Sequence, residues 1–234
     1  KENYGYAKGN NLGLKLAKSI GYEWAVVMNN DVILKTPVIE QLVELSRSDP
    51  SIAVIGPKVL GKDGKRQGPS EKPGIKSYFV FPVLYPILYP FSKIIKQVKN
   101  RKLAEAKITY PYGISGCFMM LDLSVMEKID WFDEETFLYA EEYILSEKML
   151  KAGYKIGYTE LVFINHIHEA TTSGLGKKRI FMQLESDMYY FEKYRGYGKF
   201  RLFLIKIGYL YSRFVLGPAI RWIKKVLKII LLGT

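Results

Sequence analysis

Trp24-Ala25-Val26-Val27-Met28-Asn29-Asn30-Asp31 is an apolar run closed by two amides and a carboxylate. Its first five residues predict a short buried strand, and the polar residues predict its carboxyl end. Upstream, Leu12, Leu14, Leu16, Ala17 and Ile20 recur at helical spacing and stop at Gly21. Downstream, Pro37 to Arg47 predicts an amphipathic helix with Val38, Leu42, Val43 and Leu45 inward, and Ile52 to Ile55 a second buried strand ended by Gly56-Pro57. Loop, helix, strand, helix, strand is the rhythm of an α/β sheet with parallel strands. In such sheets ligands bind beyond the carboxyl ends of the strands. Asp31 therefore stands where a ligand for Mg2+ or Mn2+ on a diphosphate would be wanted, although a carboxylate there also serves as a turn or helix cap.

Further along, residues 3–13 are rich in Asn and Gly and predict a loop entering the first helix. Residues 61–77 predict a loop or short hairpin. Residues 78–98 are apolar and aromatic but broken by Pro82, Pro86 and Pro90, which predicts a flap, an acceptor contact or a membrane-touching loop and not a spanning helix. Residues 112–129 predict a strand and a helix, and about 141–152 another helix ending at Gly153. Tyr154–Tyr158 and Leu161–Asn165 predict two short strands, the second leading into His166-Ile167-His168. From 178 to 232 the pattern is mostly helical.

The chain carries 35 Lys or Arg against 23 Asp or Glu, a formal charge of +12. Such an excess suits polyanionic ligands, nucleic acid or anionic lipid. No nucleic-acid motif accompanies it, and much of it lies in the last fifth of the chain beside long aliphatic residues. There Arg221, Lys224, Lys225 and Lys228 form one cationic stripe on an otherwise apolar helix begun at Gly217-Pro218, a pattern of interfacial helices and also of a helix packed with a solvated basic face. The single cysteine, Cys117, sits in an apolar run and reads as a buried, inert thiol.

Two more groups can carry chemistry. Glu141-Glu142 opens a helix after an aromatic segment: acids there satisfy the helix dipole, and one of them can equally serve as a general base. His166 and His168, the chain's two histidines, share one face if they lie on a strand, a reasonable metal or phosphate site or a structural pair. Gly5, Gly9 and Gly13 are spaced by four without a preceding strand, which matches neither a dinucleotide fingerprint nor a P-loop.

Taken in order, these segments resemble the family 2 (GT-A type) glycosyltransferases that build bacterial surface polysaccharides, especially their rhamnosyltransferase-like branch. The matching runs are Asn3-x-Gly5-x-Ala7-x-Gly9-Asn10-Asn11-x-Gly13, then Val26 to Asp31 as a variant of the Asp-x-Asp metal motif, then Gly113 to Met120, Phe132 to Glu142, Lys151 to Ile156 and His166 to Ser173. The resemblance implies a GT-A fold, an α/β mixed sheet flanked by helices, over residues 1–195, with its first strands preceding Lys1, and a basic amphipathic helical tail over 196–234. It implies an inverting, metal-dependent transfer of a sugar from a nucleotide-sugar donor to a hydroxyl of a glycan or lipid-linked glycan acceptor. The alternative is a non-catalytic relative that binds nucleotide, glycan or membrane. The implied roles are Glu142 as base with Glu141 beside it, and Asp31, His166 and His168 at a divalent metal (Mg2+ or Mn2+). Asn3, Gly9, Asn10, Asn11, Asn29, Asn30 and Gly116 would line the donor. The base is usually Asp in that family; here it is Glu. With the tail on an anionic membrane surface, the expected location is cytoplasmic, peripheral on the inner face of the cell membrane, with no nucleic-acid partner.

Overall fold

The computed structural model describes residues 3–167 and 176–232. His168 and the residues to Ser173 that complete the last matching run lie outside the described residues. Contacts group the chain into two compact units, one of residues 1–72 and 96–186, the other of 73–95 and 187–234. Residues 73–95 group with the C-terminal segment, which a single boundary near residue 195 does not anticipate.

The first unit is built on a mixed sheet. Its strands are β1 (Trp24–Met28), β2 (Val32–Leu34), β3 (Ile52–Gly61), β4 (Arg66–Gln67), β5 (Phe118–Asp122) and β6 (Lys155–His166). They lie in the order β1-β5-β3-β6-β2, with β4 paired to β3. β3 and β6 run parallel, while β5 runs antiparallel to both β1 and β3, and β2 antiparallel to β6. The parallel rhythm read from the first strands therefore covers only part of the sheet.

Helices cover both faces. On β5, Phe118 and Met120 join one buried cluster and Met119 and Leu121 the other, the two-residue alternation of a strand between two layers. One layer holds α1 (Gly5–Ser19) and α4 (Leu123–Lys128), with α5 (Glu141–Lys151) beside them. The other holds α2 (Val38–Ser48), whose Val38, Leu42 and Leu45 recur at helical spacing and are buried.

Two local expectations are corrected. Helix α1 begins at Gly5, inside the segment expected to be a loop. Asn3 Oδ1 accepts the Gly5 N–H at 3.0 Å and Phe137 O accepts the Tyr6 N–H at 3.0 Å, so donors that begin a helix without partners find them here. Burial of Ala7, Asn11 and Leu14 then overrides the poor propensity of Gly and Asn. The two strands expected around residues 154–165 are one strand, β6, which absorbs the interruption in a register shift against β3 between Gly56 and Lys58.

Residues 78–98, of which 78–95 lie in the second unit, are not a loop or flap. A π-helical turn at Lys76–Val80 leads directly into α3 (Phe81–Glu105), which continues into the first unit. Pro82 falls in the first turn, where no N–H is required, whereas Pro86 and Pro90 each remove one helical donor. α6 (Gly176–Tyr189), α7 (Lys199–Tyr211) and α8 (Gly217–Leu232) complete the chain, with π-helical turns at Tyr190–Tyr194 and Ser212–Leu216. The run Lys199–Val226 is long and apolar enough to cross a membrane by length and composition.

Candidate active site

Strand pairing brings Asp31 and His166 together across 135 positions of sequence. β2 pairs with β6 so that Val32 faces His166, and the Ile167 N–H donates to Asp31 O at 2.9 Å. The His166 Nε2 atom then lies 3.1 Å from Asp31 Oδ1. Asn29 Nδ2 stands 3.5 Å from the same nitrogen. On the ring's other side, Nδ1 is 2.8 Å from Gln67 Oε1. An amide oxygen only accepts, so the Nδ1 proton points at Gln67, and in neutral imidazole Nε2 is an acceptor turned toward Asp31.

Gln67 was not legible as a site residue. It reaches His166 because the β3–β4 hairpin sets Gln67 against Val59, while Gly61 pairs with His166 on the opposite edge of β3. A methyl group on Gly61 would stand 2.8 Å from Gln67 Nε2, so the missing side chain leaves room for that amide. The neighbouring Arg66 forms a buried ion pair with Glu160, which also pairs with Lys58 at 3.1 Å, anchoring the short strand.

The carboxylate of Asp31 tests whether a metal fits. Its Oδ1 is buried and, among the described residues, receives no hydrogen bond; His166 Nε2 is at ion-pair distance only. An acceptor nitrogen and a carboxylate oxygen this close attract one another only with positive charge on or between them, supplied by a proton on Nε2 or by a cation. One carboxylate oxygen and one imidazole nitrogen are donor types that Mg2+ or Mn2+ accepts beside phosphate oxygens and water. No cluster of three or more His, Cys, Asp or Glu side chains that could hold a metal ion gathers among the described residues.

Glu142 enters from α5. Tyr139 and Ala140, at φ +75° and +66°, form a left-handed entry to that helix, and Asp130 and Trp131 are also left-handed at +58° and +51°. Such conformations cost about 1–3 kcal/mol each in non-glycine residues and persist where surrounding structure holds them. Part of the holding is visible: Lys148 Nζ donates to Asp130 O at 2.9 Å and to Trp131 O at 2.6 Å. The turn delivers half-buried Glu142 to the Gly116 N–H, which donates to Oε1 at 3.0 Å. A Cβ on Gly116 would lie 2.5 Å from that oxygen, so only glycine permits the approach. Burial raises the Glu142 carboxyl above the ordinary range, with its own N–H and that of Gly116 opposing. A carboxyl raised in this way is a stronger base at its site than an ordinary one. Glu141 is buried beside it, and Tyr6 donates its hydroxyl to Gly116 O at 2.7 Å.

The Gly116-Cys117 turn joins the two halves of the site. Cys117 O accepts the Asn29 N–H at 2.9 Å, two residues before Asp31, while the preceding residue holds Glu142. The Cys117 thiol is pushed up to about 11, mainly by burial and further by the charges of Glu142 and Asp31, so both carboxylates act on it. It is buried, as expected of an inert thiol. Beyond Glu142 on α5, Glu147 pairs with Lys72 Nζ at 2.8 Å and accepts the Tyr112 hydroxyl at 2.9 Å.

The residues expected at the donor divide. Asn29 and Gly116 lie at the Asp31–Glu142 edge, and Asn30 is exposed beside them. Asn3 and Asn10 make local bonds at the start of α1, to the Gly5 N–H and to Tyr6 O, and Gly9 lies on an open face of that helix. Asn11 differs from its expected role. It is 2 % exposed, its Nδ2 donates to Phe132 O and Glu134 Oε1, and its Oδ1 accepts the Phe132 N–H. Both amide protons are spent on holding the 132–134 segment to α1.

No protein-family model matches the chain. It is 26% identical over 168 residues to the low-salt glycan biosynthesis hexosyltransferase Agl10 of Haloferax volcanii, covering 70% of this chain and 49% of that protein. It is 25% identical over 157 residues to an N-acetylglucosaminyl-diphospho-decaprenol L-rhamnosyltransferase of Mycobacterium tuberculosis, covering 65% and 49%. The chain thus spans about half the length of the curated relatives it matches. Its fold is similar to a crystal structure of GalNAc-T7 with UDP, GalNAc and Mn2+, at TM-score 0.50 and 11% identity, over 92% of this chain and 46% of that one. The chain is related to glycosyltransferases and has the GT-A fold.

Proposed function

We propose that this chain carries the catalytic edge of a metal-dependent, inverting glycosyltransferase. The observation that supports this most directly is the Gly116-Cys117 turn, which ties the base candidate Glu142 to Asn29, two residues before the Asp31 of the Asp31–His166 pair, at one end of the strands of one sheet. The glycosyltransferase names of the relatives supply the reaction class.

In this reading the donor is a nucleotide-diphosphate sugar and the acceptor a hydroxyl of a glycan or lipid-linked glycan. Glu142 takes the proton of the acceptor hydroxyl as its oxygen bonds to the anomeric carbon. The carbon–oxygen bond to the diphosphate breaks on the opposite face, and the bond electrons leave with the diphosphate, so the configuration inverts. Gly116 positions the carboxylate through its N–H, and burial keeps that carboxylate basic. Asp31 and His166 Nε2 would hold Mg2+ or Mn2+; His168 remains a further candidate ligand. The metal, when bound, stabilises charge on the departing diphosphate. Gln67 fixes the imidazole with Nε2 toward Asp31. Asn29, Asn30 and Gly116 would border the donor, with Asn3, Asn10 and Gly9 at the start of α1. The placement that suits a lipid-linked acceptor is the inner, cytoplasmic face of the cell membrane.

The test is a donor screen by mass spectrometry with Mn2+, comparing the native chain with Asp31→Ala and Glu142→Gln. Product from the native chain and loss in both variants, each still folded, supports the reading. Nucleotide binding by calorimetry without turnover of any donor would favour a non-catalytic relative, and near-full transfer by Glu142→Gln would overturn the base assignment.

A further inference from the structure

The second compact unit joins residues 73–95 to residues 187–234. Its sequence holds twelve Lys or Arg against two acids, Asp187 and Glu192, so it carries most of the chain's net charge of +12. The joint is specific. Tyr78 stacks on Tyr209 with ring centroids 6.2 Å apart and meets Phe191 edge-on at 5.2 Å. Its hydroxyl donates to Asp187 Oδ2 at 2.8 Å, and Arg195 Nη1 donates to Pro73 O at 2.7 Å. A Cβ on Gly208 would lie 2.1 Å from Tyr78 O, so α7 can lie against the π-helical turn only because that residue is glycine.

Both segments show large apolar side chains to solvent. On α3, Leu84, Ile87, Phe91 and Ile94 are exposed at steps of three, four and three, which is one helix face. On α7, Phe200, Phe203 and Ile207 are exposed at steps of three and four. Ile87 is 69% exposed, Phe200 73% and Trp222 of α8 68%, far more than scattered surface apolars need. Beside the α7 face run Lys199, Lys206 and Arg213 at steps of seven, and Arg221, Lys224 and Lys225 are exposed on α8. The basic residues also decide how such a helix meets lipid. Arg201, Lys206, Arg213, Arg221, Lys224 and Lys225 cut Lys199–Val226 into uncharged runs far shorter than the roughly 20 residues that span a bilayer. A basic line beside an apolar line suits a helix lying in the interface.

We propose that residues 73–95 and 187–232 form one lipid-docking surface for bilayers rich in acidic phospholipids. The apolar side chains of both segments enter the headgroup boundary, and the basic side chains meet the phosphates. The proline-broken segment is then the second limb of the surface and not an independent flap. Charge complementarity selects the occupant: a surface this basic, with two acids, suits an anionic bilayer. The proposal does not depend on the transfer reaction.

The test is co-sedimentation of the whole chain with vesicles of phosphatidylcholine alone and of phosphatidylcholine with phosphatidylglycerol. Binding to the acidic vesicles, weakened by salt, is expected. The pairs Ile87→Ser/Phe91→Ser and Phe200→Ser/Phe203→Ser should each lower the partition by about tenfold or more, since two largely exposed apolar side chains are lost from the lipid contact. Circular dichroism checks that each variant stays folded. In the native chain, lipids brominated in the acyl chain should quench Trp222 fluorescence. Absence of binding to acidic vesicles, an unchanged partition for the Ile87/Phe91 pair, or no quenching of Trp222 would each overturn the proposal. So would lipid-free self-association abolished by the same substitutions in a chain that ignores vesicles, which would make this face a subunit interface.

Discussion

The N–H of Gly116 donates to Oε1 of Glu142 at 3.0 Å, across a gap that a single methyl group would close. Gly116→Ala would place its Cβ 2.5 Å from that oxygen, and the flexible end of the Glu142 side chain is what must move. The variant is expected to fold with little change in melting temperature. Transfer should fall by about 10²-fold, the scale of a catalytic group misplaced by about 1 Å. Steady-state rates and a thermal melt on the same preparation check this; a melt that collapses together with activity would show a structural role instead.

Glu142→Gln should lower transfer by about 10²–10⁴-fold while keeping an oxygen for the Gly116 N–H. Because burial raises the native carboxyl, the acidic limb of the native rate profile should lie above the usual carboxylate range. Rate must fall as pH drops through that raised value, since the base is then protonated. Stability has the opposite sign. A carboxyl raised in the folded state contributes stability below its unfolded value and loses it as pH rises through its folded value. Glu142→Gln should therefore melt at or above the native temperature at neutral pH. Melts across pH, set beside the kcat/KM profile, test both signs.

Gln67→Ala removes the oxygen that faces Nδ1 of His166 and frees the ring to rotate. Affinity for Mn2+ in the presence of a nucleoside diphosphate should drop by about 10–100-fold, as when an outer partner of a metal-binding histidine is lost. Calorimetric titration measures it. Gln67→Glu, which keeps an acceptor, should recover much of the affinity.

Asn11→Ala strips the clasp between α1 and the 132–134 segment and leaves the buried N–H and C=O of Phe132 without that partner. Stability should fall by about 2–4 kcal/mol, the scale of an unsatisfied buried pair plus a lost bond. Denaturant unfolding reads it directly. If Asn11 instead served the donor, binding would weaken with stability unchanged.

The local signals in the chain are strong where one element buries one face. Trp24–Met28, Val38–Ser48 and Glu141–Lys151 lie within a residue or two of where apolar spacing and caps place them. The failures have a common cause. α1 starts among glycines and asparagines because Phe137 O and the burial of Asn11 supply from afar what local propensity lacks. α3 passes through Pro86 and Pro90 although proline normally ends helices.

By itself the sequence determined which residue types were present at strand ends and helix starts: Asp31 after an apolar run, the acid pair opening α5, and a histidine closing the last apolar run at His166. Apolar periodicity and chain punctuation are short-range properties, and they can be read without a fold. Only the tertiary structure decided that Asp31 meets His166, that Gln67 fixes the imidazole, that Gly116 carries Glu142, and that residues 73–95 pack with the C-terminal helices. Those relations depend on strand register and on close approach between segments distant in sequence, where a slip of one residue would turn each side chain to the other face of the sheet.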